Sequence, residues 1–351
     1  MNQRTVLPGT RFGAHRVIAP PGVLPQPAER LDARFEVVWD NEIIVDVETL
    51  NVDAASFRQI EEEGGGTDAG IVDVVRRTVN ARGKQHNPVT NSGGMLLGTV
   101  EWVGSAVARD RAPTVGDRVA TLASLTLTPL RIDEFRAVRR ASAQLDVRGK
   151  AVIADGAPFA RLPADLPERL SLAVLDVAGA GIQISRRAKA GQTVVILGAG
   201  GKSGILCAAE ARRQVGPTGK VLGLEAHAPF AADLRGLGIC DEVLSLDARD
   251  ALSVYRAVLG ANGGHEVDLA VCCVNVEGVE LATILPVRDG GCAYFFSMST
   301  SFTRAALGAE GVGKDVELVI GNGYAVGHAD HALGLVRADP ALQALFARRY
   351  G

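Results

Sequence analysis

The sequence predicts a two-domain α/β protein: a β-rich first domain over residues 1–170, then a doubly wound parallel sheet over residues 171–351. Three observations predict it. The 351 residues exceed what a single hydrophobic core usually organises. The first half alternates apolar and polar residues with the period of half-buried strands, whereas the second sets short, wholly apolar runs between helical segments. Finally, VVILGAGGKSG at 194–204 turns an apolar strand into a helix through clustered glycines.

Composition narrows the function classes before any motif is read. With 47% hydrophobic and 22% charged residues the chain has ordinary globular make-up. A net charge of -3 gives no electrostatic footing for nucleic acid or an anionic membrane. No run approaches the roughly 20 apolar residues of a membrane span, and the N-terminal MNQRTVLPGTRFG lacks a secretory apolar core. A cytoplasmic enzyme with a small substrate is expected. The five cysteines (Cys207, Cys240, Cys272, Cys273 and Cys292) are odd in number and lack CxxC spacing, so neither a disulfide framework nor a zinc knuckle is indicated.

Taken in order, FEVVWDNEIIVDVETLNVD (35–53) alternates as antiparallel strands do, and EEEGGGTDAG (61–70) breaks the pattern with carboxylates and glycines. IVDVVRRTVNARG has helical spacing and stops at Gly83. Strand-like runs return at GMLLGTVEWVG, GDRVATLASLTLTPL and KAVIADGAPFARLP. DLPERL, around Pro167, marks the boundary. SLAVLDVAGAGIQISRRAK then reads as a helix, Thr193 to Leu197 as a strand, and KVLGLE, EVLSLD, VDLAVCCVN, GCAYFFSM and VELVIGNG as further buried parallel strands.

The glycine turn admits two chemistries, and spacing separates them. A triphosphate-binding GxxxxGKS loop needs glycine five places before Gly201, where this chain has Ile196. A dinucleotide turn needs an apolar strand, glycines for the bend and close pyrophosphate approach, a helix, and a carboxylate ending the next strand. All four are present. Gly198, Gly200, Gly201 and Gly204 fit either GxxGxxG or GxGxxxG, followed by KSGILCAAEARRQVG, with Lys202 and Ser203 opening that helix. Glu225, about 20 residues beyond the last glycine, is placed to accept hydrogen bonds from ribose hydroxyls. It would repel a 2′-phosphate, so NAD is expected over NADP, although the nearby His227 could favour the phosphate.

A β-rich half followed by this turn, with Gly116-Asp117-Arg118-Val119 and NPVTNSGGMLLGTVEWVG, resembles the medium-chain dehydrogenase/reductase superfamily. Within it, HRVIAPPGVLPQPA, GKQHNPVTNSGGMLLG, SLTLTPL, LDVAGAG and ILGAGGKSG resemble the L-erythro-3,5-diaminohexanoate dehydrogenase family over most of the chain. The resemblance implies a GroES-like first domain, a Rossmann second domain, and NAD-dependent oxidative deamination of a 3-amino group in lysine fermentation. It implies a small zwitterionic amino-acid substrate and a homodimer, the late strands GCAYFFSM and DVELVIGNG forming the edge that pairs across subunits.

Two departures from the wider superfamily stand out. No cysteine precedes Cys207, and Asn51 in LNVDAASF occupies the position of a zinc-ligand cysteine, as in the zinc-free quinone-reductase branch; no catalytic zinc is expected. The final LQALFARRYG does not resemble the segment that usually returns to the first domain.

The resemblance places catalytic candidates at His86 in the polar loop RGKQHNPVTNSGG, at the weaker Lys84, and at Asp176 in LAVLDVAGAGIQI, where zinc-dependent relatives carry a metal-ligand cysteine beside the nicotinamide. His86 could accept a proton near neutral pH, against the plainer role of an exposed loop side chain. Asp176 could pair with a reacting ammonium, against the plainer role of a cap or backbone partner. A facing of the two across a cleft is expected. Asn51, Asp53, Ser56, Asn87, Thr90 and Ser92 are the substrate-binding candidates; of Asp53 and Ser56, one is expected only to stabilise a turn. Two rival functions stand beside the dehydrogenase: a zinc-independent quinone or enoyl reductase, and a nucleotide-binding protein without catalysis.

Overall fold

A computed structural model describes residues 4–87, 93–108, 112–321 and 323–350. They form two compact units, Met1–Ala164 and Asp165–Gly351. The division falls six residues before the expected one because Asp165 already belongs to the second unit, where both its carboxylate oxygens accept hydrogen bonds from Arg337.

In the first unit β1 (Thr5–Leu7), β2 (Val17–Ala19), β3 (Arg30–Leu31) and β4 (Val37–Trp39) make two small two-stranded sheets, β1 with β4 and β2 with β3. β5 (Glu42–Asn51) leads into helices α1 (Ala54–Glu63) and α2 (Asp68–Arg82), and β6 (Met95–Val103), β7 (Arg118–Thr121), β8 (Leu130–Arg139), β9 (Gln144–Ala154) and β10 (Phe159–Arg161) follow. The principal sheet is antiparallel, ordered β10-β7-β6-β5-β9-β8. Alternation on β5 sends Ile43, Val45 and Val47 into a core with Val74, Val75 and Val79 of α2, while Ile44 packs on the other side with Phe35, Val38 and Val152. Thr67 caps α2 at its start. Gly83 ends it at φ 66°, where the sequence predicts the stop.

The second unit begins with α3 (Glu168–Leu175) and α4 (Ala178–Ser185) and continues β11 (Thr193–Leu197), α5 (Lys202–Val215), β12 (Lys220–Leu224), α6 (Ala228–Leu237), β13 (Glu242–Leu244), α7 (Ala251–Ala261), β14 (Val267–Cys272), α8 (Glu280–Ile284), β15 (Val287–Phe295), α9 (Phe302–Gly311), β16 (Glu317–Ile320), α10 (His328–Ala338) and α11 (Pro340–Tyr350). All six strands are parallel, in the order β13-β12-β11-β14-β15-β16. That is the doubly wound order in which the strand direction of progression reverses beside β11, where ligands bind at the carboxyl ends. The segment read as one helix from residue 171 is two, broken at Asp176 and Val177. α10 packs on α3, α4 and α5, and α11 on α3 and α6. The C-terminal helices thus complete the second unit's own core. Among the described residues, no helix is long and apolar enough to cross a membrane.

Candidate active site

In the first unit the polar candidates gather around the start of α1. Asn51 ends β5, and its Oδ1 accepts from Gln144 Nε2 at 3.0 Å. Asp53 is the N-cap: its Oδ1 accepts from the Ser56 N–H at 2.9 Å, which gives it the turn-stabilising role expected of one of the pair. Its Oδ2 is buried and has no hydrogen-bond partner among the described residues. Ser56 is fully buried.

The loop after α2 runs beside this turn. A side chain at Gly93 would strike the Gln85 carbonyl, and one at Gly94 the Asn51 carbonyl and Val52, so only glycine lets the two segments meet. Asn87 is buried, and its Nδ2 donates to Gln59 Oε1 on α1. His86 is half-buried with Nδ1 unpartnered among the described residues, and so is Gln85 Oε1. Desolvation first, then the charges of Arg82 and Lys84, hold the His86 imidazole below its ordinary pKa and so neutral at pH 7. Three buried acceptors, Asp53 Oδ2, Gln85 Oε1 and His86 Nδ1 in its acceptor tautomer, therefore lack donors. Gln85 escapes sequence reading; its signal is adjacency to His86 in a loop that folds inward. Thr90 and Ser92 lie outside the described residues.

Lys84 is a correction. It sits in the same polar string, yet it is fully buried, and its Nζ donates at 2.9 Å to the carbonyls of Pro25 and Gln26. Burial, with Arg82 nearby, pulls its amine down to about 8. Its donors hold the 25–26 turn, the role of an interior strut.

In the second unit the glycine turn joins β11 to α5. Gly198 has φ 73°, and a side chain at Gly200 would strike Phe230 and Glu225, while one at Gly204 would meet the Gly198 carbonyl at 2.1 Å. Gly201 has room for one. The crowded set is GxGxxxG, which decides between the two spacings the sequence allows. Gly201 is the N-cap of α5 without side-chain capping, leaving the helix's first N–H groups to an anion; Lys202 and Ser203 are its first residues.

Beside the turn lies a cavity of about 400 Å³ lined by Gly198, Gly201, Glu225, His227, Phe230, Asp247, Arg249, Cys273, Asn275 and neighbouring apolar residues. Glu225 follows β12 directly, as the sequence predicts. Its Oε2 accepts from the Gly200 N–H and its Oε1 from the His227 N–H, each at 2.9 Å, which fixes the carboxylate while leaving lone pairs for further donors. The turn's own amides are used internally, Gly198 and Ala199 on the Leu224 carbonyl, Gly200 on Glu225 and Gly201 on the Gly198 carbonyl. The uncapped first N–H groups of α5, the fixed carboxylate and the cavity beside them suit a dinucleotide. Phe230 and Cys273 are lining residues the sequence gives no signal for, because neither stands in the motif.

Asp176 needs a second correction. It ends α3 rather than lying inside one continuous helix, is exposed, and forms an ion pair with Lys202. Lys202 is therefore held at the mouth of the glycine turn by a carboxylate. His86 belongs to the first unit and Asp176 to the second.

A family model for the L-erythro-3,5-diaminohexanoate dehydrogenase N-terminal domain matches residues 15–163. Two relatives described as L-erythro-3,5-diaminohexanoate dehydrogenase, from Acetoanaerobium sticklandii and Fusobacterium nucleatum, are each 48% identical over 342 residues, 97% of this chain and 99% of theirs. Among solved structures the chain is similar to AibC, with TM-score 0.56 and 19% identity over 86% of this chain and 79% of that one. It is also similar to a mycobacterial protein complexed with NADPH, with TM-score 0.52 and 18% identity over 88% of this chain and 81% of that one. These two likenesses show the fold, a β-rich part followed by a parallel Rossmann sheet. The identity along nearly the whole chain shows more: this protein is a dehydrogenase of the L-erythro-3,5-diaminohexanoate dehydrogenase family.

Proposed function

We propose that the protein catalyses the NAD-dependent oxidative deamination of L-erythro-3,5-diaminohexanoate, as in lysine fermentation: the diamino acid, NAD and water give 5-amino-3-oxohexanoate, ammonium, NADH and a proton. The 48% identity over 97% of the chain carries this reading. The nicotinamide ring, when bound, accepts the hydride from the amine-bearing carbon. The uncapped first N–H groups of α5 bind its pyrophosphate, and Glu225 accepts from the ribose hydroxyls and disfavours a 2′-phosphate.

The unpartnered acceptors of the first unit suit a substrate with two ammonium groups, each a cluster of donors. His86, neutral at pH 7, takes a proton from the reacting ammonium or from the attacking water. Asp176 stabilises the cationic iminium as hydride leaves, once an anion at the turn draws Lys202 away from it. An uncharged quinone or enone would leave those buried acceptors unsatisfied. We propose further that the enzyme is a homodimer joined through the exposed side of β16, which pairs only with β15 among the described residues.

The test is NADH formation from 3,5-diaminohexanoate beside lysine, ornithine and simple β-amino acids, with NAD and NADP in parallel. Turnover confined to the 3,5-diamino acid, with NAD preferred, supports the reading. Turnover of quinones or enones alone, or NADH binding without turnover of any of these, overturns it. Asp176→Asn, which keeps shape and removes charge, should lower kcat by roughly 100-fold with NADH affinity retained.

A further inference from the structure

The dinucleotide turn is held from two sides. The Gly200 N–H donates to Glu225 Oε2 at 2.9 Å, and the Gly200 carbonyl accepts from Arg349 Nη1 at 2.6 Å. These two bonds fix different peptide planes, the one before the Gly200 Cα and the one after it. Together they set both backbone angles of the least restrained kind of residue, in a turn with glycine at 198, 200 and 201. The peptide held by Arg349 carries the Gly201 N–H, which closes the turn on the Gly198 carbonyl at 3.2 Å, and Gly201, the N-cap of α5, lines the cavity.

Arg349 is itself built in. It lies in α11, its side chain is 9% exposed, and its Nε and Nη2 donate to Asp233 Oδ2 of α6 at 2.9 and 2.6 Å. The guanidinium also stacks 4.1 Å over the ring of Phe230, which lines the same cavity. Every nitrogen of the fork is used, and two of its four contacts are to groups that shape the cavity. Arg348, one residue earlier, is 63% exposed and among the described residues reaches only Asp233, so the same helix supplies an internal control.

We infer that Arg349 is a positioning residue for the cofactor turn, locking the Gly200–Gly201 peptide so that the uncapped start of α5 and Glu225 meet the dinucleotide in one fixed arrangement. It touches no reacting atom. Its effect is on cofactor affinity and on discrimination between NAD and NADP, because both depend on where Glu225 and the turn stand. The inference rests on the dinucleotide reading above and concerns a residue that reading does not use.

The experiment is NADH and NADPH titration by fluorescence, without substrate, on the full-length protein, Arg349→Ala, Arg349→Lys and Arg348→Ala, with melting temperatures measured alongside. Arg349→Ala should raise the NADH dissociation constant roughly tenfold or more, the scale of one lost charge-assisted hydrogen bond, and narrow the NADH-over-NADPH preference. Arg349→Lys, which can still donate to the Gly200 carbonyl, should recover part of the affinity. Arg348→Ala should leave both constants near native. At saturating NAD, kcat of Arg349→Ala should stay within a few-fold while KM for NAD rises. Should Arg349→Ala fail to fold, Arg349→Lys carries the test: native affinity and preference at lowered melting temperature mean that Arg349 only docks α11. Equal effects of Arg348→Ala and Arg349→Ala on affinity also overturn the inference. Failure of the unaltered protein to bind either nucleotide removes the cofactor reading together with this one, whereas native NADH affinity in Arg349→Ala removes this one alone.

Discussion

His86 has an imidazole deprived of water beside two cations, and the sign of that perturbation fixes what its titration does to rate. Its pKa lies below the ordinary 6.5 or so, so the neutral, proton-accepting form persists to lower pH. If His86 is the base, kcat/KM should rise with pH through a limb below that value and then level. His86→Asn should abolish the limb and lower kcat by roughly 100-fold; an unchanged limb in that variant removes His86 from the mechanism. Lys84 obeys the same desolvation with a different outcome. Its charged form is penalised in the folded state, so the penalty is present in full below about 8 and lifts as pH rises toward the unfolded value near 10.5. Lys84→Met leaves the Pro25 and Gln26 carbonyls without their donor and should lose about 1–3 kcal/mol in urea unfolding, with kcat near native. The unaltered protein should then gain stability relative to Lys84→Met between pH 8 and 10.5. The sequence shows that a lysine and a histidine share a polar loop. Which of them turns into the core depends on the carbonyls of residues 25 and 26, nearly sixty positions away, and no local pattern carries that.

At the scale of elements, what was legible had a local cause. The twofold alternation of β5, the glycine stop of α2, and the short apolar runs β11, β12, β14 and β15 are dictated by residues within the element. The break between α3 and α4 was not, because LAVLDVAGAGIQI keeps helical spacing straight through Asp176; the interruption comes with an ion pair to Lys202 in α5. The 15–42 region hides another long-range tie. Arg16 is wholly buried, stacked 4.3 Å from the Trp39 ring, and joined twice to Glu42 at 2.7 Å, with His15 at 2.8 Å on the same carboxylate. Burial alone would push Glu42 up; the bonds from Arg16 and His15 outweigh it and hold the carboxyl below the usual range. Its stabilisation is thus present above the unfolded value of about 4.3 and is lost as pH falls through the lower folded one. Glu42→Gln leaves Arg16 buried without a counter-charge and should lose about 3–5 kcal/mol at pH 7. The loss should shrink steadily below pH 4 in urea melts; a loss independent of pH would mean that packing, not charge, is what Glu42 supplies.

On the scale of the whole molecule, the parallel sheet of the second unit ends at β16, whose residues Glu317–Ile320 bond to β15 along one side. Ile320 is exposed, and so are Phe302, Leu307 and Val312 on the adjoining α9 and the turn after it. An open strand edge flanked by large apolar side chains is a liability in a monomer, and a twofold axis resolves it without any new element. Two copies of β16 related by such an axis run antiparallel, and each satisfies the other's free backbone groups with the same residues. The interface would grow from the edge remote from the glycine turn in strand order, since β14 and β15 stand between β11 and β16. Dimerisation and cofactor binding should therefore separate on mutation. Light scattering at micromolar protein should give twice the 36.7 kDa chain mass. Ile320→Lys should shift it to the single-chain mass while the NADH dissociation constant stays within a few-fold of native, because a lysine on the edge charges the pairing surface and leaves Glu225 and the turn untouched. A single-chain mass for the unaltered protein would mean that β16 is covered in some way other than by its own copy.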